Sequence, residues 1–345
     1  MPSDATVDAQ NTRAADDQNI TPTTPVFEGN AILSDVPLLL RETFFPLGFP
    51  VEIATNCDVV LRAAQESWCM FTQIYTSEPL RIELGVHEGC ETELPPAPVC
   101  RVRGHLVTTM VDPGNFIVSD LKQGFAFGWV SRTTAETSLY LRYHFLEAAA
   151  FSMLSTLRAA ALHAACVAPM GHGMLLCGDS GAGKSSLAFA GARSGWTYTS
   201  DDASYLPLDR ADGNVIGNYH QIRFRNSGIQ LFPELEGRSI TPRAAGKPSI
   251  EVSTREFPEL VTAQSAKIDY IIFLNRRNAA TPGLHPLSPE YASRYFLQSL
   301  LLAPSPDSLF TQAFQNLLKA RVYEMRYRDL DWAIERLEEL AITGR

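Results

Sequence analysis

The segment at residues 178–186, with the sequence GDSGAGKSS, constrains the fold more than any other part of this chain. It fits the pattern G-x-x-x-x-G-K-[ST], whose glycines allow a tight turn that points backbone N–H groups at phosphate oxygens. An apolar run typical of a buried strand precedes it at residues 174–177, and a helical pattern follows at residues 185–190. In that order the positive end of the helix dipole faces the loop. The sequence therefore predicts an α/β fold with a nucleoside triphosphate site at this loop.

The same pattern predicts a role for individual residues of the loop. Lys184 is expected to reach the β- and γ-phosphates of ATP, and the Ser185 hydroxyl is expected to bind Mg²⁺. The predicted nucleotide-binding residues are the nine members of the segment: Gly178, Asp179, Ser180, Gly181, Ala182, Gly183, Lys184, Ser185 and Ser186.

An acidic pair ends the next predicted strand along the chain. Asp201 and Asp202 follow the run at residues 196–200, whereas the more apolar run at residues 268–274 ends without an acid. Phosphoryl transfer to a hydroxyl needs a base near the γ-phosphate, and Mg²⁺ takes a carboxylate ligand. Because neighbouring residues of a strand point to opposite faces, we expect one aspartate to face the site. A solvated turn is the alternative interpretation of the pair.

Three segments together resemble the catalytic core of bacterial HPr kinase/phosphorylase. They are residues 162–167 (LHAACV), 173–185 (GMLLCGDSGAGKS) and 195–202 (GWTYTSDD). The order of histidine, glycine-rich loop and aspartate pair is unusual among P-loop proteins. The resemblance implies an α/β P-loop kinase of the phosphoenolpyruvate-carboxykinase type. The whole chain looks most like an uncharacterised group of HPr-kinase-like proteins with a β-rich α+β N-terminal domain.

The resemblance implies catalytic roles for three residues. His163 aligns with the family's active-site histidine, which interacts with the catalytic acid; a core histidine with satisfied hydrogen bonds is the alternative. Of Asp201 and Asp202, one would take the proton from the acceptor hydroxyl, and the other would assist it or hold the metal. Ser185 and Asp202 are the implied metal ligands.

The chain departs from the family at positions that bear on the direction of the reaction. Ser186 stands where the family often has Glu, and residues 221–224 (QIRF) lack the metal-binding Glu of that strand. The family's signature for dephosphorylation has no good counterpart after residue 275. The sequence therefore predicts a one-way kinase that forms no pyrophosphate from phosphate and a phosphorylated acceptor.

Length and composition suit a globular protein of two domains. The chain has 345 residues, 45% of them hydrophobic, with 29 basic and 38 acidic side chains. A net charge of −9 provides no positive electrostatic potential that would attract nucleic acid. No apolar run reaches the ~18 residues of a membrane span. The predicted parts are a disordered acidic tail at residues 1–30, a β-rich domain at residues 31–160 and a catalytic domain at residues 161–345.

Two features predict a cytoplasmic protein. The first 30 residues lack the basic start and apolar core of a signal peptide. The six cysteines form no C-x-x-C pair, so free thiols in a reducing compartment explain them better than disulfides or zinc.

Patterning predicts the elements of the first half. An edge strand is expected from residue 51, followed by a helix at residues 58–68 with Asp58 as its N-cap. A long helix is expected at residues 136–158, with a capping box at residues 133–136. The predicted strands between the helices are residues 80–86, 100–110, 115–121 and 124–130. The role of this half stays open between recognition and structural support.

Two functions agree with these observations. The first is an ATP-dependent kinase of the HPr serine kinase type, which transfers the γ-phosphate to a hydroxyl, with a serine of a protein or peptide ahead of a small molecule. The alternative is a nucleotide-sensing or ATP-hydrolysing regulatory module without a hydroxyl acceptor. The hexameric state of HPr kinases makes a homo-oligomer a state to test. Four basic residues are candidates for binding the γ-phosphate or an acidic substrate: Arg223, Arg225, Arg243 and Lys247.

Overall fold

The longest apolar runs of the chain form the inner strands of its sheets. The structure, a computed structural model, describes residues 36–88, 93–210, 212–241, 248–277, 281–298 and 309–345. The predicted acidic tail, Cys90, Arg243 and Lys247 lie outside the described residues. Residues Pro37–Arg345 belong to one compact unit. The division predicted at residue 160 stays a prediction.

The strands of the described residues are β1 (Leu40–Phe44), β2 (Val51–Thr55), β3 (Leu80–His87), β4 (Val99–Arg103), β5 (Leu106–Asp112), β6 (Asn115–Asp120), β7 (Phe125–Ser131), β8 (Ala159–Leu162), β9 (Ala164–Ala168), β10 (Gly173–Cys177), β11 (Thr197–Ser200), β12 (Ser204–Pro207), β13 (Asn214–Gly217), β14 (Gln221–Phe224), β15 (Ile240–Thr241), β16 (Ser249–Ser253), β17 (Ser265–Asn275), β18 (Gly283–Pro286) and β19 (Arg321–Arg326). The helices are α1 (Asp58–Trp68), α2 (Arg132–Glu136), α3 (Ser138–Leu141), α4 (Glu147–Leu157), α5 (Lys184–Arg193), α6 (Pro289–Leu297), α7 (Leu309–Leu317) and α8 (Leu330–Thr343), with a π-helical turn at Arg142–Leu146 between α3 and α4. None of the helices in the described ranges is long and apolar enough to span a bilayer.

Seven strands from the first half form one sheet in the order β1-β2-β3-β7-β6-β5-β4. Strands β2, β3 and β7 run parallel, and the remaining pairs are antiparallel. One face of the sheet packs against α1, the π-helical turn and α4 in a core that includes Trp68 and Phe145. The β-rich first half is therefore a sheet with helices on one side.

The second sheet carries the predicted loop. Its main path is β11-β9-β10-β17-β13-β12-β8, and β19 adds to β17 with β18 beyond it. Strand β10 pairs parallel with β17 and antiparallel with β9. A further small sheet has the order β14-β16-β15. These strands and helices confirm the predicted mixed α/β class.

Helices cover both faces of the second sheet. Alternate residues of a strand point to opposite faces, so Met174 and Leu176 join the core under α5 and α8, while Leu175 and Cys177 join the core under α6 and α7. A strand that is buried on both faces is apolar throughout, which is why the run at β10 is continuous rather than alternating. Cys166 and Cys177 are buried free thiols in β9 and β10, as predicted.

Two predictions about strands of the first half are wrong. Strand β2 lies between β1 and β3 instead of at the sheet edge, because the preceding residues Leu40–Phe44 add one more strand. The single strand predicted at residues 100–110 is a hairpin of β4 and β5, because Gly104 has a φ of 61° and reverses the chain.

Two predictions about helix starts are also wrong. Helix α1 has Cys57 at its N-cap, and Asp58 is its first residue, where the carboxylate faces the helix dipole and pairs with Arg62. The long helix predicted at residues 136–158 is four shorter elements, α2, α3, the π-helical turn and α4, that begin at Arg132. Its cap is Ser131, whose hydroxyl accepts a hydrogen bond from the Thr134 N–H, and not the predicted box at residues 133–136.

Candidate functional site

The strand directions of the second sheet bring the predicted site residues to one edge. Ala164 of β9 lies opposite Cys177 of β10, so His163 is next to the start of the glycine loop, the name used here for residues 178–186. Strand β11 runs antiparallel to β9 with Ser200 opposite Cys166. Asp201 and Asp202 therefore leave the sheet at the same edge as His163 and the loop.

The glycine loop has a conformation that side chains would disfavour. Gly178, Gly181 and Gly183 have φ angles of 141°, 89° and 100°, in the region that favours glycine. Gly183 is the N-cap of α5, so the helix begins at Lys184 with its positive end toward the loop. The backbone can thus present N–H groups and a helix dipole to an anion.

Two tyrosines that sequence reasoning missed support this loop. The Tyr295 hydroxyl from α6 accepts a hydrogen bond from the Gly178 N–H at 3.1 Å and lies 3.0 Å from the carbonyl oxygen of His163. The buried Tyr327 hydroxyl donates to the Ala182 carbonyl at 3.0 Å. Both come from elements far along the chain, so no local pattern indicates them.

Lys184 is the centre of the site. Its side chain is buried, and Nζ donates to the Gly178 carbonyl at 2.7 Å and lies 3.1 Å from Nε2 of His163. An ammonium only donates hydrogen bonds, so Nε2 must accept. The imidazole is then neutral with its proton on Nδ1, and Nδ1 lies 3.8 Å from Oδ1 of Asp202. The three side chains form a continuous line from the loop to the acidic pair.

The electrostatics of the site agree with a neutral imidazole. Burial and the adjacent Lys184 ammonium lower the pKa of His163, although the Asp202 carboxylate opposes them. Burial likewise lowers the pKa of Lys184, with the carboxylates of Asp202, Asp179 and Asp201 acting in the opposite direction. Burial therefore acts on both groups, and the Lys184 ammonium further disfavours a proton on His163.

The two aspartates have different environments. Asp201 is buried, with 8% of its surface exposed, and its Oδ2 accepts a hydrogen bond from the Arg223 backbone N–H at 2.5 Å. The Asp202 side chain is 37% exposed and faces His163. Asp201 thus fixes the end of β11 to β14, while Asp202 lies at the surface of the site.

The two described basic candidates, Arg223 and Arg225, have different partners. Arg223 is held by Glu147 at 3.6 Å and Glu251 at 3.3 Å, so it is committed to carboxylates. Arg225 is exposed, and its Nη2 lies 3.3 Å from the Ser180 hydroxyl of the glycine loop. Arg276, which sequence reasoning missed, follows β17 beside the loop and stacks on the Tyr327 ring at 5.8 Å. Arg276 directly follows β17, which runs parallel to β10, and this position in the sequence could have indicated that it lies beside the loop.

Two clefts flank the glycine loop. One, of about 420 Å³, lies between the loop and residues that include Arg276, Arg277, Tyr291 and Glu324. The other, of about 240 Å³, lies between the start of α5 and the segment around Arg225 and Leu231. The loop therefore has accessible space on both sides, with an arginine near each.

The donor set can be compared with the needs of Mg²⁺. Within the described ranges, no three His, Cys, Asp or Glu side chains cluster closely enough to hold a metal. An Mg²⁺ ion that arrives with a nucleotide needs only one or two protein ligands, because phosphate and water complete its shell. Ser185 at the head of α5 and Asp202 beside His163 provide the oxygen donors that this ion prefers.

Comparison with known proteins assigns no family. No protein-family profile and no curated protein sequence matches the chain. Among solved structures, the HPr(Ser) kinase/phosphatase from Coxiella burnetii is similar, with a TM-score of 0.30 and 13% sequence identity. The similarity covers 54% of this chain and 95% of that one.

Proposed function

We propose that the protein is an ATP-dependent kinase that transfers the γ-phosphate to a hydroxyl group. The observation that carries this proposal is the contact of Lys184 Nζ with both the glycine loop and His163, with Asp202 on the far side of the imidazole. This arrangement combines a cation for the phosphates with a proton acceptor nearby. The proposal includes the P-loop kinase fold of the phosphoenolpyruvate-carboxykinase type for residues 161–345.

Lys184 and the loop account for nucleotide binding. The loop N–H groups and the α5 dipole face the phosphates, and the Lys184 ammonium balances the charge that develops on the β- and γ-phosphates. Arg225 and Arg276 line the clefts beside the loop and add positive charge. Mg²⁺ would be held by Ser185 and by one carboxylate oxygen of Asp202, which leaves the other oxygen for the acceptor proton, and it would neutralise the phosphate oxygens further.

Asp202 is the proposed base. Its carboxylate takes the proton of the acceptor hydroxyl as that oxygen bonds to the γ-phosphorus, while the bond to the bridging oxygen breaks and ADP leaves. His163 lies beside this carboxylate, with its Nδ1 3.8 Å from Oδ1 of Asp202. Asp201 has the separate role of fixing the strand end through the Arg223 N–H.

Incubation with γ-labelled ATP, Mg²⁺ and an extract of the source cells tests the proposal. Wild-type protein is expected to move label to an acceptor, and Lys184→Ala is expected to move none. Lys122→Ala, which removes an exposed lysine from a turn of the first sheet, is the matched control and should behave as wild type. Label that appears only as free phosphate would favour the regulatory module, and unlabelled products throughout would refute ATP use.

A further inference from the structure

A cavity of about 260 Å³ adjoins the proposed base on its own side of the site. It shares no lining residue with the two clefts at the glycine loop, yet Asp201 and Asp202 both line it. The opposite wall comes from the first half of the chain, through Tyr143 of the π-helical turn and Ala148 and Phe151 of α4. Asp202 therefore lies between the Lys184 site and a second, separate space.

We propose that this cavity binds the hydroxyl compound that accepts the phosphate, and that this compound is small and either neutral or positively charged. The inference rests on the proposed kinase function and adds the acceptor class to it. The reacting hydroxyl would contact the Asp202 carboxylate. On its other side Asp202 lies beside His163, which contacts Lys184 of the nucleotide site. Direct transfer requires the acceptor oxygen in line with the γ-phosphorus and a base beside that oxygen, so Asp202 would lie next to the point where the two compounds meet.

The charge of the lining disfavours anionic acceptors. Among the described residues that line the cavity, Glu147, Asp201 and Asp202 carry carboxyl groups, and Arg223 is the one cation. Arg223 is within ion-pair distance of two carboxylates, from Glu147 and Glu251. Carboxyl groups therefore outnumber cations in the lining by three to one, and a second anion beside the γ-phosphate of ATP would be repelled.

The remaining lining sets the size and polarity of the compound. Phe151 stacks with Tyr205 at 6.0 Å between ring centres and, with Ala148, provides an apolar wall. Asn218 and Gln221 add amide groups that can bind hydroxyls. A volume of about 260 Å³ is below that of a typical drug-sized site, so a small molecule or a single peptide residue fits.

Buried polar contacts hold the wall from the first half in place. Glu147 accepts a hydrogen bond from Ser67 at 3.0 Å and lies within ion-pair distance of Arg142 and Arg223. Tyr143 donates a hydrogen bond to Glu251. The acceptor site is therefore incomplete without the first half, which gives this β-rich half a role in substrate binding.

The test measures ADP formation from ATP and Mg²⁺ above the rate with water alone. The probes are matched three-carbon compounds: serinamide with a positive charge, glycerol without charge and glycerate with a negative charge. Two capped tripeptides, one with serine between lysines and one with serine between glutamates, are tested as well. They show whether the acceptor hydroxyl belongs to a peptide or to a free small molecule. We expect at least one of serinamide, glycerol and the lysine peptide to stimulate ADP formation. The stimulation should be at least tenfold greater than that by the matching anionic probe, which is glycerate for the two free compounds and the glutamate peptide for the lysine peptide.

Filling the cavity provides the second readout. Ala148→Trp is expected to abolish this stimulation while the affinity for ATP is retained, and Thr156→Trp, two turns along α4 and outside the lining, is the control. Equal stimulation by glycerate, an absence of stimulation by every probe, or full stimulation in Ala148→Trp would overturn the acceptor inference alone. Failure of the wild-type protein to bind ATP would instead refute the proposed function.

Discussion

At the scale of single residues, the adjacent aspartates Asp201 and Asp202 have different environments and, in the proposed function, different roles. Asp201 is buried and accepts the Arg223 N–H, whereas Asp202 is partly exposed and faces His163. The sequence alone left the assignment open, because strand alternation predicts that one residue faces the site without saying which.

Asp202→Asn is expected to lower the rate of phosphoryl transfer by about 10²–10⁴-fold, because the amide cannot take the acceptor proton. ATP binding should persist, since Lys184 and the loop are unchanged. Asp201→Asn keeps an oxygen for the Arg223 N–H and is expected to lower the rate much less. Single-turnover kinetics with γ-labelled ATP measure both variants. A larger loss in Asp201→Asn than in Asp202→Asn would show that the roles are reversed.

His220 gives a second prediction at this scale. Burial, with a contribution from Arg255, lowers the pKa of His220 from 6.5 to about 4. Between pH 6.5 and about pH 4 the unfolded chain binds this proton and the folded chain does not, so the free energy of unfolding falls as the pH falls through that window.

NMR titration of His220 is expected to show a midpoint near pH 4. Urea unfolding of His220→Gln, which cannot titrate, should depend less on pH across the same window than the wild type. A midpoint above pH 6 would contradict the assignment of burial as the dominant cause.

At the scale of elements, the turn from β10 into α5 depends on one glycine. A Cβ at Gly183 would lie 2.5 Å from the Tyr327 hydroxyl, and the φ of 100° is unfavourable for any other residue. Tyr327 must then move away from the Ala182 carbonyl, which distorts the glycine loop.

Gly183→Ala is therefore expected to weaken ATP binding by at least tenfold. Gly195→Ala is the matched control, because its φ is 97° but no atom lies within 4 Å of the added Cβ. Both variants should lose about 1–2 kcal/mol of unfolding free energy from the backbone conformation. Equilibrium binding of ATP distinguishes them, and equal affinities in the two variants would contradict the role of Tyr327.

Elements defined by short-range patterns were predictable. The apolar runs at β10 and β17 and the helix α5 follow from local residues. The breaks in the predicted long helix were not predictable. Its apolar face continues both through Thr137, whose ψ is 81°, and through the π-helical turn. Periodicity of apolar residues does not report such interruptions.

At the scale of the whole molecule, a buried network joins the two halves of the chain. Glu147 of α4 pairs with Arg223 of β14, which pairs in turn with Glu251 of β16. Such a network was beyond sequence analysis, because its members lie 76 and 28 positions apart and no local pattern relates them. The same holds for Tyr295 and Tyr327 at the glycine loop.

Glu147→Ala is expected to lower the free energy of unfolding by about 1–3 kcal/mol, because the largely buried Arg223 loses one of its two carboxylate partners and keeps Glu251. Glu66→Ala removes a more exposed partner of Arg142 and should cost at most about 1 kcal/mol. Urea denaturation measures both. Equal losses would show that the network contributes no more than a surface ion pair.

Equilibrium binding of ATP with Mg²⁺ to the wild-type protein, Lys184→Ala and Lys122→Ala tests the central claim most directly. Loss of the contacts of this ammonium with the phosphates should cost about 1.5–3 kcal/mol, so Lys184→Ala is expected to bind ATP about 10- to 150-fold more weakly. Lys122→Ala should bind as the wild type does, and thermal unfolding should show that all three proteins are folded. Wild-type affinity in folded Lys184→Ala, or no binding by the wild-type protein, would contradict a nucleotide site at the glycine loop.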